Sequence, residues 1–407
     1  MSVSSDKVVA NLEVEAVDLP VLEDTGIHHT HIAPEPSDAV NALPFKMLRK
    51  ATVSFPATSR EEQDALTEAP DISKIEFLDH RDKPLETVFP LVYKIIGQTR
   101  LFLESFGNIP YTETSFSVFQ IQFCQKIDLL EKIASDLDNN AAIHLKKIFS
   151  GELFDLFSLS TLISRAIAKP FGYPGDYRML DLLYNGDLPS QTNLGKYLDK
   201  YFIEDPLAQA VINRCNKMAN ITKDYILKNE STKTSLHILN IASGPGYDLA
   251  QLANMSPKCK TYIHCFDQEP SSLLHVLSRL GNDQFGNLKF SFYKEDIRSF
   301  FRNPCHETSY DFIYNIGLAD YLSDRLLKSL IEESLSVLNS GGKLVLAHKD
   351  FSLFPYHYPS WLCNWNFIHR SLSQYLDFVN ANFPEYDPEI TFESDNKVIY
   401  FSTLTKP

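Results

Sequence analysis

The stretch LNIASGPGYDL occupies residues 239–249 and decides the fold of the chain. It begins inside a short apolar run, His237 to Ile241, which is typical of a buried parallel strand. A Gly-Pro-Gly turn follows, and a helical pattern starts at Asp248. Glycines make a tight turn and let a ligand lie against bare backbone. Strand, turn and helix in this order therefore predict the first βα unit of a nucleotide-binding sheet.

The segments after this turn alternate between strand and helix patterns. Further apolar runs predict strands at 261–266, 287–293, 310–316 and 343–347, and an amphipathic helix at 326–338 precedes the last of them. This βαβ spacing predicts an α/β fold, with a doubly wound parallel sheet that carries helices on both faces.

An acidic residue stands where a ribose-binding group is expected. Asp267 follows the second predicted strand and lies 21 residues after Gly246, so its carboxylate can hydrogen-bond both hydroxyls of a ribose. The third residue after Gly246 is Leu249, and the Gly-x-Gly-x-x-Gly sequence of NAD-binding domains is therefore absent. The sequence disfavours an NAD-binding domain.

These motifs resemble those of class I S-adenosylmethionine (SAM) methyltransferases, from about His237 to the C-terminus. The motifs are IASGPG at 241–246, DQEP at 267–270, EDI at 295–297 and LNSGGKL at 338–344. Residues 389–392 and 398–401 resemble the antiparallel hairpin that closes the seven-stranded, Rossmann-like sheet of this family. Two positions depart from the family pattern: Asn240 replaces an acid, and Ala242 replaces the first glycine.

The resemblance implies SAM as the cofactor and carries with it a set of binding positions. The implied cofactor-binding residues are Asn240, Ala242, Gly244, Gly246, Asp267, Gln268, Asp296, Ile297 and Asn315.

The chain before the glycine turn divides into two parts. Residues 1–75 are rich in Ser, Pro, Asp and Glu and are predicted to form a flexible arm; its histidines at 28, 29 and 31 lack a further ligand at metal-site spacing, so no metal is expected. Residues 76–228 carry helical patterns and are predicted to form an all-helical domain, followed by the SAM-binding domain at 229–407. The helical patterns are clearest at 88–96, 116–133 and 142–162.

The stretch KPFGYPGDYRML at 169–180 is the second informative one. Its prolines and glycines predict a loop of fixed shape, which we interpret as a lid over the methionine end of SAM. Arg178 would bind the carboxylate and Asp176 the amine, while Tyr173 or Tyr177 would face the sulfonium by cation–π attraction. The alternative is that Asp176 and Arg178 pair locally and only fix the turn.

This loop, together with DPLAQAVINR at 205–214, is similar to one branch of SAM-dependent enzymes that carry a helical domain before the methyltransferase domain. The branch includes enzymes that methylate 3-hydroxy fatty acids to give ester signals, and enzymes that cyclise SAM to azetidine-2-carboxylate with release of methylthioadenosine. The resemblance implies methyl transfer to a fatty-acid-like or secondary-metabolite acceptor. Cyclisation of SAM and a non-catalytic, SAM-binding regulator remain alternatives.

The acceptor side of the sheet offers fewer signals. Residues 315–321 follow the fourth strand and His348 ends the fifth, so both are expected at the carboxyl edge where this fold meets its acceptor. His348 is a candidate general base, and a purely structural histidine is the alternative. The aromatic residues between 351 and 365 are predicted either to line an apolar acceptor pocket or to cover the sheet.

Composition narrows the class of partner. A net charge of −14 without any basic run argues against nucleic acid as substrate, so we expect a small molecule. The six cysteines are scattered, as is usual in a reducing cytosol, and a cytoplasmic protein without signal peptide or membrane span is predicted. The sequence leaves open whether the chain forms a homodimer.

Overall fold

Helices occupy the chain ahead of the first strand. The structure is a computed structural model that describes residues 88–281, 286–294, 296, 309–352, 358–363, 365, 367–368 and 370–407, so the predicted arm and its histidines lie outside the described residues. The helices ahead of the sheet are α1 Phe89–Gly107, α2 Glu113–Ser135, α3 Asn139–Glu152, α4 Phe154–Phe157, α5 Thr161–Ala168, α6 Tyr177–Asn185, α7 Asn193–Ile203 and α8 Pro206–Asn229.

Aromatic rings form the core between these helices. Phe119 and Phe123 of α2 are fully buried. The Phe119 ring centroid lies 5.4 Å from that of Phe102 in α1 and 5.2 Å from that of Tyr197 in α7. Packing of this kind holds amphipathic helices together far more strongly than helix propensity does. No helix in the described part of the chain combines the length and hydropathy that a membrane crossing requires.

A seven-stranded sheet follows, as the sequence predicts. The strands are β1 Ser235–Ile241, β2 Lys260–Asp267, β3 Leu288–Lys294, β4 Tyr310–Asn315, β5 Leu338–Lys349, β6 Glu389–Phe392 and β7 Ile399–Thr405. Their spatial order is β3-β2-β1-β4-β5-β7-β6, with β1 to β5 parallel and β7 antiparallel to both of its neighbours. The predicted α/β class, the doubly wound sheet of class I methyltransferase type and the helical N-terminal part are confirmed.

Helices cover both faces of this sheet. They are α9 Tyr247–Ala253, α10 Pro270–Leu280, α11 Asp324–Ser336, α12 Tyr358–Cys363 and α13 Leu372–Asn382. Alternate residues of β1 belong to separate cores: Leu236 and Ile238 pack with α8, α9 and α10, whereas Leu239 and Ile241 pack with α11 and α13. Burial on both faces explains why apolar residues stand on both sides of β1 and do not alternate strictly with polar ones.

Two element boundaries differ from the predicted ones. The single helical pattern at 142–162 is divided among α3, α4 and the start of α5, because the side chain of Ser160 caps α5 by accepting from the Ile163 N–H at 3.1 Å. The predicted turn at 339–342 lies inside β5, where the register against β4 shifts and Gly341 adopts a φ of +75°.

A third boundary changes the predicted lid. Helix α6 begins at Tyr177, so the loop at 169–180 ends at Asp176 and its last residues form a helical turn. The carboxylate of Asp176 accepts a hydrogen bond from the Met179 N–H at 2.9 Å and thereby caps the helix.

The carboxylate of Asp181 joins α6 to the sheet domain. It is 5 % exposed, and it accepts from Arg279 Nη2 at 2.6 Å and from Arg178 Nη1 at 3.0 Å. His275 Nε2 lies 3.1 Å away. Arg279 and His275 belong to α10, so this cluster fixes α6 against a helix of the sheet.

We expect the substitution Asp181→Ala to lower the free energy of unfolding by about 2 kcal/mol, because the partly buried Arg279 would lose its counter-charge and the buried site at 181 its hydrogen bonds. Urea denaturation measures the loss. The exposed Asp187, changed to Ala, is the control and should alter stability by less than about 0.5 kcal/mol. Equal stability of the two variants would contradict a structural role for the cluster.

Candidate active site

The turn after β1 has backbone conformations that favour glycine. Gly244 and Gly246 have φ values of +56° and +67°, and Ala242 has a φ of +58°. A non-glycine residue with positive φ is strained, and such residues concentrate at functional sites. Gly246 also has no room for a side chain, since a Cβ built there would lie 2.7 Å from Val276 Cγ1.

Hydrogen bonds to the Asp267 carboxylate connect this turn to the end of β2. One carboxylate oxygen accepts from the Gly244 N–H at 2.9 Å and from Ser272 Oγ at 3.2 Å, and the other accepts from the Glu269 N–H at 3.0 Å. Burial raises the pKa of Asp267 above its ordinary value, and these hydrogen bonds oppose the rise. The acid that the sequence assigned to the ribose thus also shapes the glycine turn.

Two asparagines lie beneath the turn. Asn315, at the end of β4, donates to the Ile241 carbonyl at 2.6 Å and accepts from the Leu318 N–H at 3.1 Å. Its side chain is fully buried, and Asn240 is 2 % exposed in β1. Asn315 therefore connects the end of β4 to the end of β1 by a hydrogen bond.

A cavity opens at the carboxyl ends of the parallel strands, next to this turn. It contains about 1100 Å³ of empty space, counted to its mouth. Seven of the predicted site residues line it: Tyr173, Tyr177, Ala242, Gly244, Asp267, Gln268 and Asp296. The remaining lining residues are Gly175, Leu180, Ile241, Phe266, Gly317, Leu318 and Tyr321. We refer to this space as the first cavity.

The first cavity is acidic and aromatic. Among the residues that the structure describes, its lining includes the carboxylates of Asp267 and Asp296 but neither Lys nor Arg. Tyr173, Tyr177 and Tyr321 contribute phenol rings. Burial and the charge of Asp267 raise the pKa of Tyr173, so its hydroxyl stays protonated. Such a lining suits a cationic ligand better than a phosphate.

The two charged residues of the predicted lid do not line the first cavity. Asp176 is fully buried and forms an ion pair with Arg165 at 2.9 Å, in addition to capping α6. Arg178 points to Asp181, and its side chain is 48 % exposed. Both findings correct the lid hypothesis. Asp176 caps helix α6, and this helix, which begins at Tyr177, turns Arg178 away from the first cavity. The two tyrosines remain at the cavity.

His348 also differs from its predicted role. It is 1 % exposed, and its ring packs between those of Tyr375 and Tyr400, with centroids 4.5 Å and 5.4 Å away. Burial lowers its pKa to about 3, so the ring is neutral at ordinary pH. It is absent from the described lining of the cavity, which leaves it without the contact that a general base needs.

Several residues near the first cavity were not singled out from the sequence, and of those that follow, Tyr321 belongs to its described lining. Arg214, which lies within the DPLAQAVINR motif, is 6 % exposed, and its Nε has no hydrogen-bond partner among the described residues. Asp320 and Tyr321 belong to a short 3₁₀ helix after β4, inside the predicted acceptor stretch. Trp365 comes from the aromatic segment. Ile297 lies outside the described residues.

Comparison with known proteins shows similarity of fold only. No protein-family model matches the sequence, and no curated protein sequence is similar to it. A structure described as a possible exported protein from Bordetella parapertussis is 13 % identical, with a TM-score of 0.44, and covers 80 % of this chain and 97 % of its own.

Two methyltransferase structures are also similar to part of the chain. Magnesium protoporphyrin IX methyltransferase from Synechocystis PCC 6803, with bound SAM, is 9 % identical over 50 % of this chain and 85 % of its own, with a TM-score of 0.36. The N-methyltransferase NodS from Bradyrhizobium japonicum WM9, in complex with S-adenosyl-L-homocysteine, is 16 % identical over 57 % and 98 %, with a TM-score of 0.35.

We expect Gly246→Ala to destabilise the protein more than Gly244→Ala does. Both residues have positive φ, which costs an alanine about 1–2 kcal/mol. Only the Cβ at 246 would overlap Val276, whereas the nearest atom to a Cβ at 244 is 3.8 Å away. Urea denaturation of the two variants should therefore differ by about 1 kcal/mol or more. Equal losses would contradict the close approach of α10 to the turn.

Proposed function

We propose that this protein is a SAM-dependent methyltransferase that acts on a small molecule. One observation carries the proposal: the first cavity, at the carboxyl edge of the sheet, combines two carboxylates and three tyrosine rings without a described lysine or arginine. SAM carries a sulfonium cation and no phosphate, so this lining suits SAM better than a dinucleotide.

The position of the first cavity in the sheet also supports its assignment as the SAM site. In the sheet order, β1 lies between β2 and β4, and the direction of strand addition reverses there. Open α/β sheets bind ligands at such a switch point, outside the carboxyl ends of the strands. Asp267 would hold the ribose hydroxyls, and Asp296, beyond the end of β3, would lie on the base side. Tyr173 and Tyr177 would face the sulfonium.

In place of Arg178, we assign Arg214 to the carboxylate of SAM. Arg214 lines a neighbouring second cavity and approaches the first cavity at Gly317. A Cβ built on Gly317, which lines the first cavity, would lie 3.7 Å from Arg214 Nη2. The buried Nε of Arg214 lacks a hydrogen-bond acceptor among the described residues, and a buried donor of this kind favours an anionic partner.

The second cavity shares Gly175, Leu180, Gly317 and Tyr321 with the first. It favours methyl transfer over cyclisation of SAM, since cyclisation needs no acceptor site. Incubation of the full chain with SAM tests this. We expect S-adenosylhomocysteine only when an acceptor is present. Methylthioadenosine from SAM alone would indicate cyclisation instead, and binding of SAM without any product under an acceptor screen would indicate a regulatory protein.

We expect Asp267→Ala to weaken SAM binding at least tenfold, because each charge-assisted hydrogen bond to the ribose contributes about 1.5–3 kcal/mol. Calorimetry measures the affinity. Ser272→Ala is the matched control: it removes the bonds from Ser272 to Gly244 and Asp267 but leaves the carboxylate in place, and it should change the affinity less than about threefold. Unchanged affinity in a folded Asp267→Ala protein would refute the ribose assignment.

We expect Arg214→Ala and Arg178→Ala to differ in the same assay. The first removes the proposed partner of the SAM carboxylate and should lower affinity roughly tenfold or more, as for loss of a bidentate ion pair. The second changes a half-exposed residue that contacts Asp181, so SAM affinity should stay within about twofold. The reverse order of effects would restore the lid hypothesis for Arg178.

A further inference from the structure

The second cavity adjoins the first and is mainly apolar. The empty space along its lining amounts to about 550 Å³, with the open solvent at its mouth included. It shares Gly175, Leu180, Gly317 and Tyr321 with the first cavity. Its other lining residues are Leu183, Phe202, Leu207, Ala208, Val211, Arg214, Asp320, Trp365 and Phe367.

The wall between the cavities is closely packed. Trp365 Nε1 donates to the hydroxyl of Tyr321 at 2.8 Å. A Cβ on Gly175 would lie 2.7 Å from Trp365 Cζ2 and 3.2 Å from the Tyr321 hydroxyl. A ligand in the second cavity would approach a ligand in the first where the two linings share Gly175, Leu180, Gly317 and Tyr321, beside this packed pair of rings.

Aromatic rings give the second cavity its shape. The Trp365 ring lies 6.2 Å from that of Phe202, nearly parallel to it, and 6.0 Å from that of Phe367. Rings and aliphatic side chains cannot solvate a charge, so the cavity favours an uncharged, flat molecule.

Asp320 and Arg214 are the charged side chains of this described lining. Asp320 is 8 % exposed, and one of its oxygens accepts from the backbone N–H of Lys349 at 3.1 Å. With Arg214 assigned to the SAM carboxylate, Asp320 remains to meet the bound molecule. A carboxylate near a methyl acceptor can take a proton from it but cannot attract another anion.

We propose that the second cavity binds a neutral phenol and that Asp320 is the general base for its O-methylation, an inference that rests on the SAM-dependent function above. The phenolic oxygen would attack the methyl carbon, and its proton would pass to the Asp320 carboxylate. The carbon–sulfur bond would break with its electron pair left on sulfur, which gives S-adenosylhomocysteine and a methyl ether. The positive charge lost by sulfur is balanced by protonation of the base.

Other acceptor classes fit the cavity less well. A carboxylate acceptor needs no base and would be repelled by Asp320. An ammonium group would be attracted by Asp320 but would lose its hydration against the aromatic wall, and it must also lose a proton before it can attack.

The electrostatic surroundings of Asp320 support its role as a base. Burial raises its pKa to about 6, and the Lys349 hydrogen bond and nearby cations limit the rise. Such a carboxyl is ionised at neutral pH yet basic enough to accept a proton. The charged and titratable groups that face it are Arg214, Lys349, Arg370, His348, Tyr321 and Tyr400.

Three probes of matched size test the acceptor class: para-ethylphenol, para-ethylbenzoate and para-ethylbenzylamine. Binding to the full chain saturated with S-adenosylhomocysteine is measured by calorimetry, and methyl transfer from SAM by mass spectrometry. We expect the phenol to bind and to be methylated at least tenfold more efficiently than the other two. Preference for the benzoate or the amine, or binding of none of the three, would overturn the proposal.

Asp320→Asn tests the base, because the amide keeps an oxygen for the Lys349 N–H but cannot take the proton. We expect transfer to para-ethylphenol to fall roughly 100-fold, the lower range for general-base catalysis. SAM affinity should stay within about threefold of that of the unchanged protein, and urea denaturation is measured in parallel because Lys349 and Arg370 lose a buried counter-charge.

The pH profile separates this role from a structural one. Since the ionised form is the base, the kcat/KM of the unchanged protein should fall tenfold per pH unit below about 6 and level off above it. The kcat/KM of Asp320→Asn should not show this fall below pH 6, whereas that of the control Asp187→Asn should. Transfer by Asp320→Asn within threefold of the unchanged protein would overturn the assignment, whereas failure of the unchanged protein to bind SAM would overturn the proposed function itself.

Discussion

The hydrogen bonds that one buried carboxylate, that of Asp267, accepts are the constraint on which the site depends. They connect the end of β2 to the Gly244 N–H and to the entrance of α10. The glycine turn cannot move relative to β2 without leaving an ionised group in a buried position with too few donors, which is costly. The floor of the first cavity is therefore already formed in the ligand-free chain, and binding needs little reorganisation there.

Much of the fold could be predicted from the sequence because the decisive signals are local. Buried parallel strands are continuous apolar runs, so the positions of β1 to β5 along the chain followed from spacing. The errors came from tertiary contacts. The caps at Ser160 and Asp176 set where helices begin, and the pairing of β5 with β4 drew residues 339–342 into a strand.

The site residues also fall into those that local sequence predicts and those that tertiary contacts determine. Gly244, Asp267 and Asp296 could be predicted because the fold brings strand ends to one edge. The direction of a side chain on a helix depends on where the helix starts, and α6 starts one residue after Asp176, which turns Arg178 towards Asp181 of the same helix. His348 looked reactive because it ends a strand, but the rings of α13 and β7 enclose it. Arg214 and Asp320 stood inside noted motifs, yet only their three-dimensional proximity distinguishes them from neighbouring residues.

The charge of the first cavity has a consequence for turnover. A cavity with acidic side chains and tyrosine faces stabilises a ligand in proportion to its positive charge. If the proposed function holds, loss of the methyl group would convert the sulfonium into a neutral thioether and remove that stabilisation. The same lining would then hold the product cofactor less tightly than SAM, which would favour its exchange without a separate release mechanism.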